Sequence, residues 1–393
     1  MSAHLDKQLH LRKNEDRRIR GGHPWVFSNE IREIKGTPVA GDLVEVLSAG
    51  GLTLGVGFYN PHSLIAFRML SHTVEPVDSS FFHRRIENAL ALRSRIYPGE
   101  HAYRLVHGEG DFLPGLVIDR YGSIISLQTF SSGMDIRLPV ICDVLQTLLG
   151  PEAIIERNES PTRALEHLDA RRGTLRGAPR TVTLEEHGIR YLVDPLEGQK
   201  TGFFLDQREN RKTVRPFCAG KRVLDCFCND GGFALNAAAA GASEVLGIDI
   251  SPDAVRRADH NASANGYSGL TFRVGDVFEE LERLGAEGQT FDVVVLDPPS
   301  FTRNRKTVPA ARKGYRDLHL SAMRLLPPGG ILATASCSHH IEPASFLQDI
   351  QASALRSGRG LQLLDWRGAA PDHPSLPSVP ETQYLKFALC TLV

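Results

Sequence analysis

Residues 222–251, RVLDCFCNDGGFALNAAAAGASEVLGIDIS, restrict the fold more than any other stretch of this chain. A short apolar run ends at Asp225. A turn follows with Gly231 and Gly232, then a helix-like segment from Phe233 to Ala240. A second apolar run, Glu244 to Ile248, ends at Asp249. Strand, turn, helix and strand in that order make half of a nucleotide-binding α/β sheet, whose ligand sits beyond the carboxyl ends of the strands. From about residue 181 to the C-terminus, strands and helices continue to alternate, as in a parallel sheet covered on both faces.

The turn itself narrows the ligand. A pyrophosphate needs G-x-G-x-x-G, whose glycines let the phosphates approach the backbone. Here the turn reads Asp225-Cys226-Phe227-Cys228-Asn229-Asp230-Gly231-Gly232, with glycine only at the last two positions. S-adenosylmethionine carries no phosphate and asks less. It needs a bend at the strand end, one acid for its ammonium and a second for the ribose hydroxyls. Asp225 and Asp249, 24 residues apart, suit those roles, near the roughly 20-residue spacing of a ribose acid. A third acid, Asp276, follows the run at Phe272 to Val274 and can take an exocyclic amine of adenine.

Composition excludes several other classes. The net charge of −1 announces no general affinity for nucleic acid, and no apolar run nears the ~20 residues of a membrane span. The N-terminus is charged and lacks the apolar core of a secretory signal. Six cysteines in 393 residues do not make a disulfide framework, so reduced thiols and a cytoplasmic location are expected. Cys226 and Cys228 have no second Cys or His pair at zinc spacing, so no metal is expected.

The chain ahead of this sheet divides into two further units. Residues 1–73 are β-rich, with strands at Leu43 to Leu47, Leu52 to Tyr59 and Leu64 to Leu70, the first two joined by a turn at Gly50-Gly51. Residues 7–35 hold eight Lys/Arg against four acids and include Trp25 and Phe27. Such a segment can hold a phosphate backbone and stack bases. It can equally be a solvated surface over a small aromatic core. The run GTPVAGDLVEVLSAGGLTLGVGFYNPHSLIAFRML resembles a PUA domain, a pseudo-barrel common in RNA-modifying enzymes. Residues 74–180 mix helix and strand: helices at Ser79 to Tyr97 and Asp135 to Leu149, and strands around LVIDRY, SIISLQTF and Ile154 to Arg157. The acids Glu156, Glu159 and Glu166 are expected in ion pairs with Arg157, Arg163, Arg171 and Arg172 rather than in catalysis. A hairpin is expected around Glu186-His187-Gly188, and a helix capped by Asp206 and stopped by Pro216.

Two later strand ends carry the candidate chemistry. Phe291 to Leu296 ends in Asp297-Pro298-Pro299-Ser300-Phe301, where two prolines stiffen the rim beside a carboxylate. That rim can bond the polar edge of a flipped base while Phe301 stacks on it. Residues 303–324 then hold seven Lys/Arg and one acid, and phosphate contact is a natural use for them. Ile331 to Ala335 leads to Ser336-Cys337-Ser338-His339-His340, which places a thiol at a carboxyl-end loop. A thiolate adding to C6 of cytosine makes C5 nucleophilic enough to accept a methyl. A base then removes the C5 proton and the thiolate leaves.

The motifs QKTGFFLDQRENR (199–211), LDCFCNDGGF (224–233), DIS (249–251), VGDVF (274–278), DPPSF (297–301), SCSHHI (336–341) and HPSLPSVPETQYLK (373–386) stand in one order. With them the whole chain resembles the 23S rRNA large-subunit methyltransferase I family, S-adenosylmethionine-dependent cytosine-5 enzymes. The resemblance implies an α/β chain in three parts: a PUA pseudo-barrel (1–73), a central α+β domain often called EEHD (74–180), and a Rossmann-like class I methyltransferase domain (181–393). It implies Cys337 as nucleophile and Asp297 as holder of the base. The cofactor residues expected are Thr201, Phe203, Arg208, Asp225, Phe227, Asn229, Gly231, Asp249, Ile250, Asp276 and Val277. The RNA contacts expected are Arg303, Arg305, Lys306, Arg312, Lys313 and Trp25, with 23S rRNA as partner, naked or in an assembling subunit. The β-rich unit could also pair with a second copy, making a homodimer, though no residue argues it.

The chain departs from related patterns in two ways. Phe227 and Asn229 stand where methyltransferases commonly have glycine. Pro298-Pro299 stands where many RNA cytosine-5 enzymes carry Pro-Cys, which leaves one candidate cysteine and no identifiable base for the C5 proton. Two alternatives stay open: methylation of a base nitrogen with Cys337 structural, and a non-catalytic protein that binds cofactor and RNA during ribosome assembly.

Overall fold

The computed structural model describes residues 5–198, 201–302 and 304–393, so Gln199 and Lys200 of the QKTGFF motif and Arg303 of the basic stretch lie outside the described residues. The chain forms two compact units. The first holds residues 1–184, 193–205 and 371–382; the second holds 185–192, 206–370 and 383–393.

In the first unit, six strands form one sheet: β1 Gln8–Leu11, β2 Trp25–Phe27, β3 Ile31–Lys35, β4 Leu43–Leu47, β5 Thr53–Tyr59 and β6 Ile65–Ser71, in the order β2-β6-β5-β4-β1-β3. β1 runs parallel to β4, and all other pairs are antiparallel. Leu9, Leu11, Val26, Val44, Val46 and Phe67 face one core. The close strand crossing requires Gly57, where a Cβ would fall 2.1 Å from the Arg68 carbonyl oxygen. The basic N-terminal segment therefore supplies β1, β2 and β3 of this sheet.

A second sheet has the order β11-β10-β9-β8-β7, from β7 Ala102–His107, β8 Leu116–Tyr121, β9 Ile124–Thr129, β10 Ala153–Asn158 and β11 Arg171–Gly177. Helices Ser79–Ile96 and Leu138–Leu149 supply its core partners, among them Phe81, Phe82, Ile86, Ile141 and Leu145. The single helix expected from Asp135 to Leu149 is two, Ser132–Ile136 and Leu138–Leu149. Pro139 explains the break: it has no N–H to donate, and its ring would clash with the carbonyl four residues back, so it opens the second helix instead. Glu156 pairs with Arg171 and Glu159 with Arg157, as expected, but Glu166 goes to Arg68 (3.0 Å) and Asn60 (2.8 Å).

A buried polar chain ties the segments 193–205 and 371–382 into this unit. Arg93, fully buried, binds Asp111 at 2.5 Å and the Asp372 carbonyl at 2.6 Å. Asp372 accepts the Arg104 N–H at 2.8 Å, Arg104 pairs with Asp119, and Asp119 accepts the Thr201 hydroxyl. The hairpin β12 Val182–Glu186 and β13 Ile189–Val193 lies where the chain passes between units. Its turn residues His187 and Gly188 both have positive φ, as a two-residue hairpin requires.

The second unit is a seven-stranded sheet of order β16-β15-β14-β17-β18-β20-β19. The strands are β14 Arg222–Cys226, β15 Glu244–Asp249, β16 Leu270–Val274, β17 Val293–Leu296, β18 Ile331–Ser336, β19 Leu361–Arg367 and β20 Lys386–Leu392. All pairs are parallel except those made by β20. Alternate residues face opposite sides, as the pleat dictates. Leu224, Cys226, Leu246 and Leu296 meet helices Val277–Ala286, Val308–Arg324 and Pro343–Arg356. Val223, Val245, Val293 and Val295 meet helices Arg208–Val214 and Gly232–Ala239. The strand order reverses between β14 and β17, which opens a crevice at their carboxyl ends. Among the described residues, no helix is long and apolar enough to cross a membrane.

Candidate active site

Asp225, Asp249 and Asp297 stand at or just past the carboxyl ends of β14, β15 and β17, and Cys337 follows β18. Four consecutive neighbours in the sheet thus bring together residues more than a hundred positions apart.

The turn after β14 explains the missing glycines. Phe227, Asn229 and Gly231 have φ of 62°, 45° and 82°. The backbone keeps the left-handed conformation that usually selects glycine, at positions held by phenylalanine and asparagine. Asparagine adopts it readily, and phenylalanine at a cost of order 1 kcal/mol or more. Phe227 recovers some of this by packing its ring against the core. Below the turn, buried Arg211 forks onto Glu186 at 2.8 and 2.7 Å, and a Cβ on Gly232 would come within 2.9 Å of Arg211. Buried Asp230 is held by Arg257 at 2.6 Å.

Asp225 is fully buried. One carboxylate oxygen, Oδ2, accepts the Ala234 N–H at 2.8 Å; the other, Oδ1, has no hydrogen-bond partner among the described residues. Burial pushes its pKa up to about 8, and Asp297 and Asp249 push the same way. A buried acid with an unused oxygen calls for a cation. Asp249 accepts the Asn229 N–H (3.0 Å) and the Ser251 N–H (2.9 Å), which fixes its carboxylate at the mouth of the turn. Beside it, Ile250 leaves 67% of its surface exposed. Asp276 caps helix Val277–Ala286 by accepting the Phe278 N–H at 2.8 Å, and Val277 is buried. Val274 and Phe278 flank Asp276 and are exposed. An acid for an ammonium, an acid for hydroxyls, and an exposed apolar rim around a third acid fit S-adenosylmethionine group by group.

Arg208 is the buried first residue of helix Arg208–Val214. The expected N-cap at Asp206 is not formed. Asp206 lies in a 3-10 turn, Leu205–Gln207, and accepts the Tyr384 hydroxyl at 2.6 Å. Thr201 and Phe203 belong to the first unit. There the Thr201 hydroxyl bonds Asp119 and lies 3.2 Å from the Tyr121 hydroxyl, which accepts the Phe203 N–H.

At the chemical end, Asp297 accepts the Gln207 side-chain amide at 2.9 Å. The Ser338 hydroxyl accepts the Phe301 N–H (3.2 Å) and meets the hydroxyls of Ser300 (3.1 Å) and Tyr315 (3.2 Å). One serine thereby pins the loop after β17 to the loop after β18. Phe301 lies against Tyr315, ring centroids 4.6 Å apart, so one ring face is already covered. Cys337 is half-buried, whereas the other five cysteines are buried. Burial pushes the pKa of all five of these thiols up, so they stay protonated. Gln207, Tyr315, Ser338 and Lys386 were not singled out in the sequence. Only Lys386 left a signal there, as an ionisable residue opening a largely apolar strand.

The basic residues divide. Arg305, Lys306 and Lys313 are exposed. Arg312 and Arg316 both pair with buried Asp349, at 2.8 Å each, so Arg312 ties two helices together. Trp25 is engaged within the protein as well. Its indole N–H binds Glu109 at 2.9 Å and Arg68 lies over its ring at 5.6 Å, which commits much of the side chain to the protein. Among the described residues no group of His, Cys, Asp or Glu is placed to hold a metal ion.

Comparison with known proteins bears on the fold and the family. Residues 9–72 match the model of a PUA-like domain, and residues 157–387 match that of an S-adenosylmethionine-dependent methyltransferase. Two solved structures share the whole fold. One is a putative SAM-dependent methyltransferase from Streptococcus mutans (TM-score 0.83, 20% identity, 98% of this chain and 99% of that one). The other is a putative methyltransferase complexed with SAH (TM-score 0.85, 22% identity, the same coverage). The class is therefore a PUA-containing methyltransferase with S-adenosylmethionine as cofactor.

Proteins called ribosomal RNA large subunit methyltransferase I are similar end to end. The one from Vibrio cholerae is 38% identical over 98% of this chain and 99% of its own length; the one from Shewanella amazonensis is 41% identical over 98% of both. The chain belongs to the ribosomal RNA large subunit methyltransferase I family.

Proposed function

We propose that this chain forms 5-methylcytosine in 23S rRNA, through a transient bond between Cys337 Sγ and C6 of the base. The coarser activity, S-adenosylmethionine-dependent methylation of large-subunit ribosomal RNA, follows from the family. The observation that carries the finer reading is that a half-buried thiol and an acid lie at the ends of adjacent strands: Cys337 after β18 and Asp297 after β17, beside the cofactor acids on β14 and β15.

S-adenosylmethionine supplies a methyl group on a sulfonium. Asp225 would take its ammonium, Asp249 its ribose hydroxyls and Asp276 the adenine amine. Asp297, oriented by Gln207, would hold the pyrimidine edge. Cys337 adds to C6 and gives C5 enamine character, without which a cytosine carbon is a poor acceptor of a methyl group. The two pinned loops keep thiol and carboxylate in fixed register. Exposed Arg305, Lys306 and Lys313 would meet phosphates. We assign residues 1–73 to RNA binding as the PUA unit, 74–180 to the central domain and 181–393 to methyl transfer.

Replacing Cys337 by alanine tests this reading. Methylation of rRNA is lost while cofactor binding is kept, and the product lost is 5-methylcytosine on bisulfite or mass mapping. Retained methylation, or a product on a ring nitrogen, refutes it.

A further inference from the structure

Lys386 is the first residue of β20, and the rest of that strand, FALCTL, is apolar apart from Thr391. The antiparallel pairing sets Lys386 opposite Ser336, the last residue of β18. Its side chain then reaches forward: Nζ donates to the Ser338 carbonyl at 2.7 Å and to the Tyr384 carbonyl at 2.8 Å. Lys386 is thus tied on both sides of Cys337, by backbone at 336 and by side chain at 338. It is 3% exposed. A neutral amine has two N–H groups and one lone pair. The two carbonyls take both N–H groups, which leaves the third direction of Nζ for a lone pair or a third proton.

We propose that Lys386 is a positioning residue that acts through Cys337: its neutral amine accepts the thiol proton, and the ammonium so formed holds the thiolate by charge. The step balances. The proton leaves Sγ for the lone pair of Nζ, net charge is unchanged, and no electron is transferred. The proposal rests on Cys337 being the nucleophile.

The electrostatics agree. Burial lowers the pKa of Lys386 to about 8, and the charges that oppose this are Cys337 first and Glu342 second. An amine of that strength exchanges a proton with a thiol near neutral pH at little cost, whereas an ordinary lysine stays an ammonium. The other groups around Lys386 are reached through Tyr384, which stacks on His339 (5.6 Å) and donates to Asp206.

The test is the pH profile of iodoacetamide alkylation on the full chain without cofactor. Because the five other cysteines are buried, the reaction reads Cys337, and C337S supplies the blank. In the unmutated chain the thiol ionises at least one pH unit lower than in K386M, so K386M reacts about tenfold more slowly at pH 7. Coupling of this kind is mutual. By NMR of lysine-labelled protein, the Lys386 titration therefore moves down by at least half a unit in C337S, a variant that leaves the lysine in place should K386M fail to fold. Coincident alkylation profiles, or a Lys386 titration unmoved in C337S, overturn the proposal while C337A inactivity still upholds the nucleophile. Full activity of C337A overturns both.

Discussion

Asp225→Asn separates the two roles proposed for Asp225, destabilising the free protein and binding the cofactor. The carboxyl is fully buried and titrates near pH 8. In the unfolded chain it titrates near ~3.9. The folded value is raised, so the neutral form is the one the fold tolerates. The contribution of this one group to stability is fully present below about pH 4 and is lost as pH rises toward the folded value near 8. Between pH 5 and 9 that loss is about 4 kcal/mol, at about 1.4 kcal/mol per pH unit. Asparagine keeps the acceptor for the Ala234 N–H and never ionises. Its amide leaves N–H donors without an acceptor, at a fixed cost of about 1–3 kcal/mol that does not change with pH. Urea unfolding at pH 5, 7 and 9 should then show D225N gaining on the unmutated chain by about 2–4 kcal/mol across the range. Cofactor binding should move the other way. An ammonium ionises Asp225, so binding at pH 6–7 releases close to one proton, read by calorimetry in buffers of different ionisation enthalpy. D225N releases none and binds about 10- to 100-fold more weakly, the value of a charge-assisted hydrogen bond. Parallel unfolding curves, or undiminished affinity in D225N, would refute this double role.

Neutralising Arg305, Lys306 and Lys313 together should flatten the dependence of rRNA affinity on salt. The log–log slope should fall by about 0.7–0.9 for each phosphate no longer neutralised, in filter-binding titrations. Arg312→Gln should leave that slope nearly unchanged, because its guanidinium is forked onto Asp349 of a neighbouring helix rather than turned to phosphates. Asp349→Ala should cost about 2–4 kcal/mol in urea unfolding, since it strands Arg312 and Arg316 between two helices. A change in stability of under about 0.5 kcal/mol would mean that these pairs behave as solvated surface bridges.

Much of the fold was legible where local pattern and tertiary demand coincide. β4 to β6 and β14 to β18 are apolar runs bounded by turn residues, and each was expected within a few residues of where it lies. The end-of-strand acids followed, because strand ends in a parallel sheet share one edge. β1 to β3 were hidden because they are short and lie in a segment whose charge outweighs its alternation. For Trp25 the choice between base stacking and core packing stayed open, because its partner, Glu109, is 84 residues away. Arg312 read as free charge for the same reason: Asp349 lies 37 residues on. The Phe227 and Asn229 positions read as a loss of glycine, yet the backbone kept its left-handed turn and accepted the strain. Lys386 is the extreme case. Nothing local links residue 386 to residue 337; only the antiparallel return of β20 onto β18 does.

The most direct test of the cysteine mechanism is a covalent trap. Large-subunit rRNA carrying 5-fluorocytidine is mixed with the enzyme and S-adenosylmethionine, then run on a denaturing gel. Fluorine cannot leave as a proton does, so an adduct through C6 cannot resolve. The unmutated chain should give a protein–RNA band, and C337A none. A band that persists in C337A, or no band from a chain that still methylates unmodified rRNA, would contradict the mechanism.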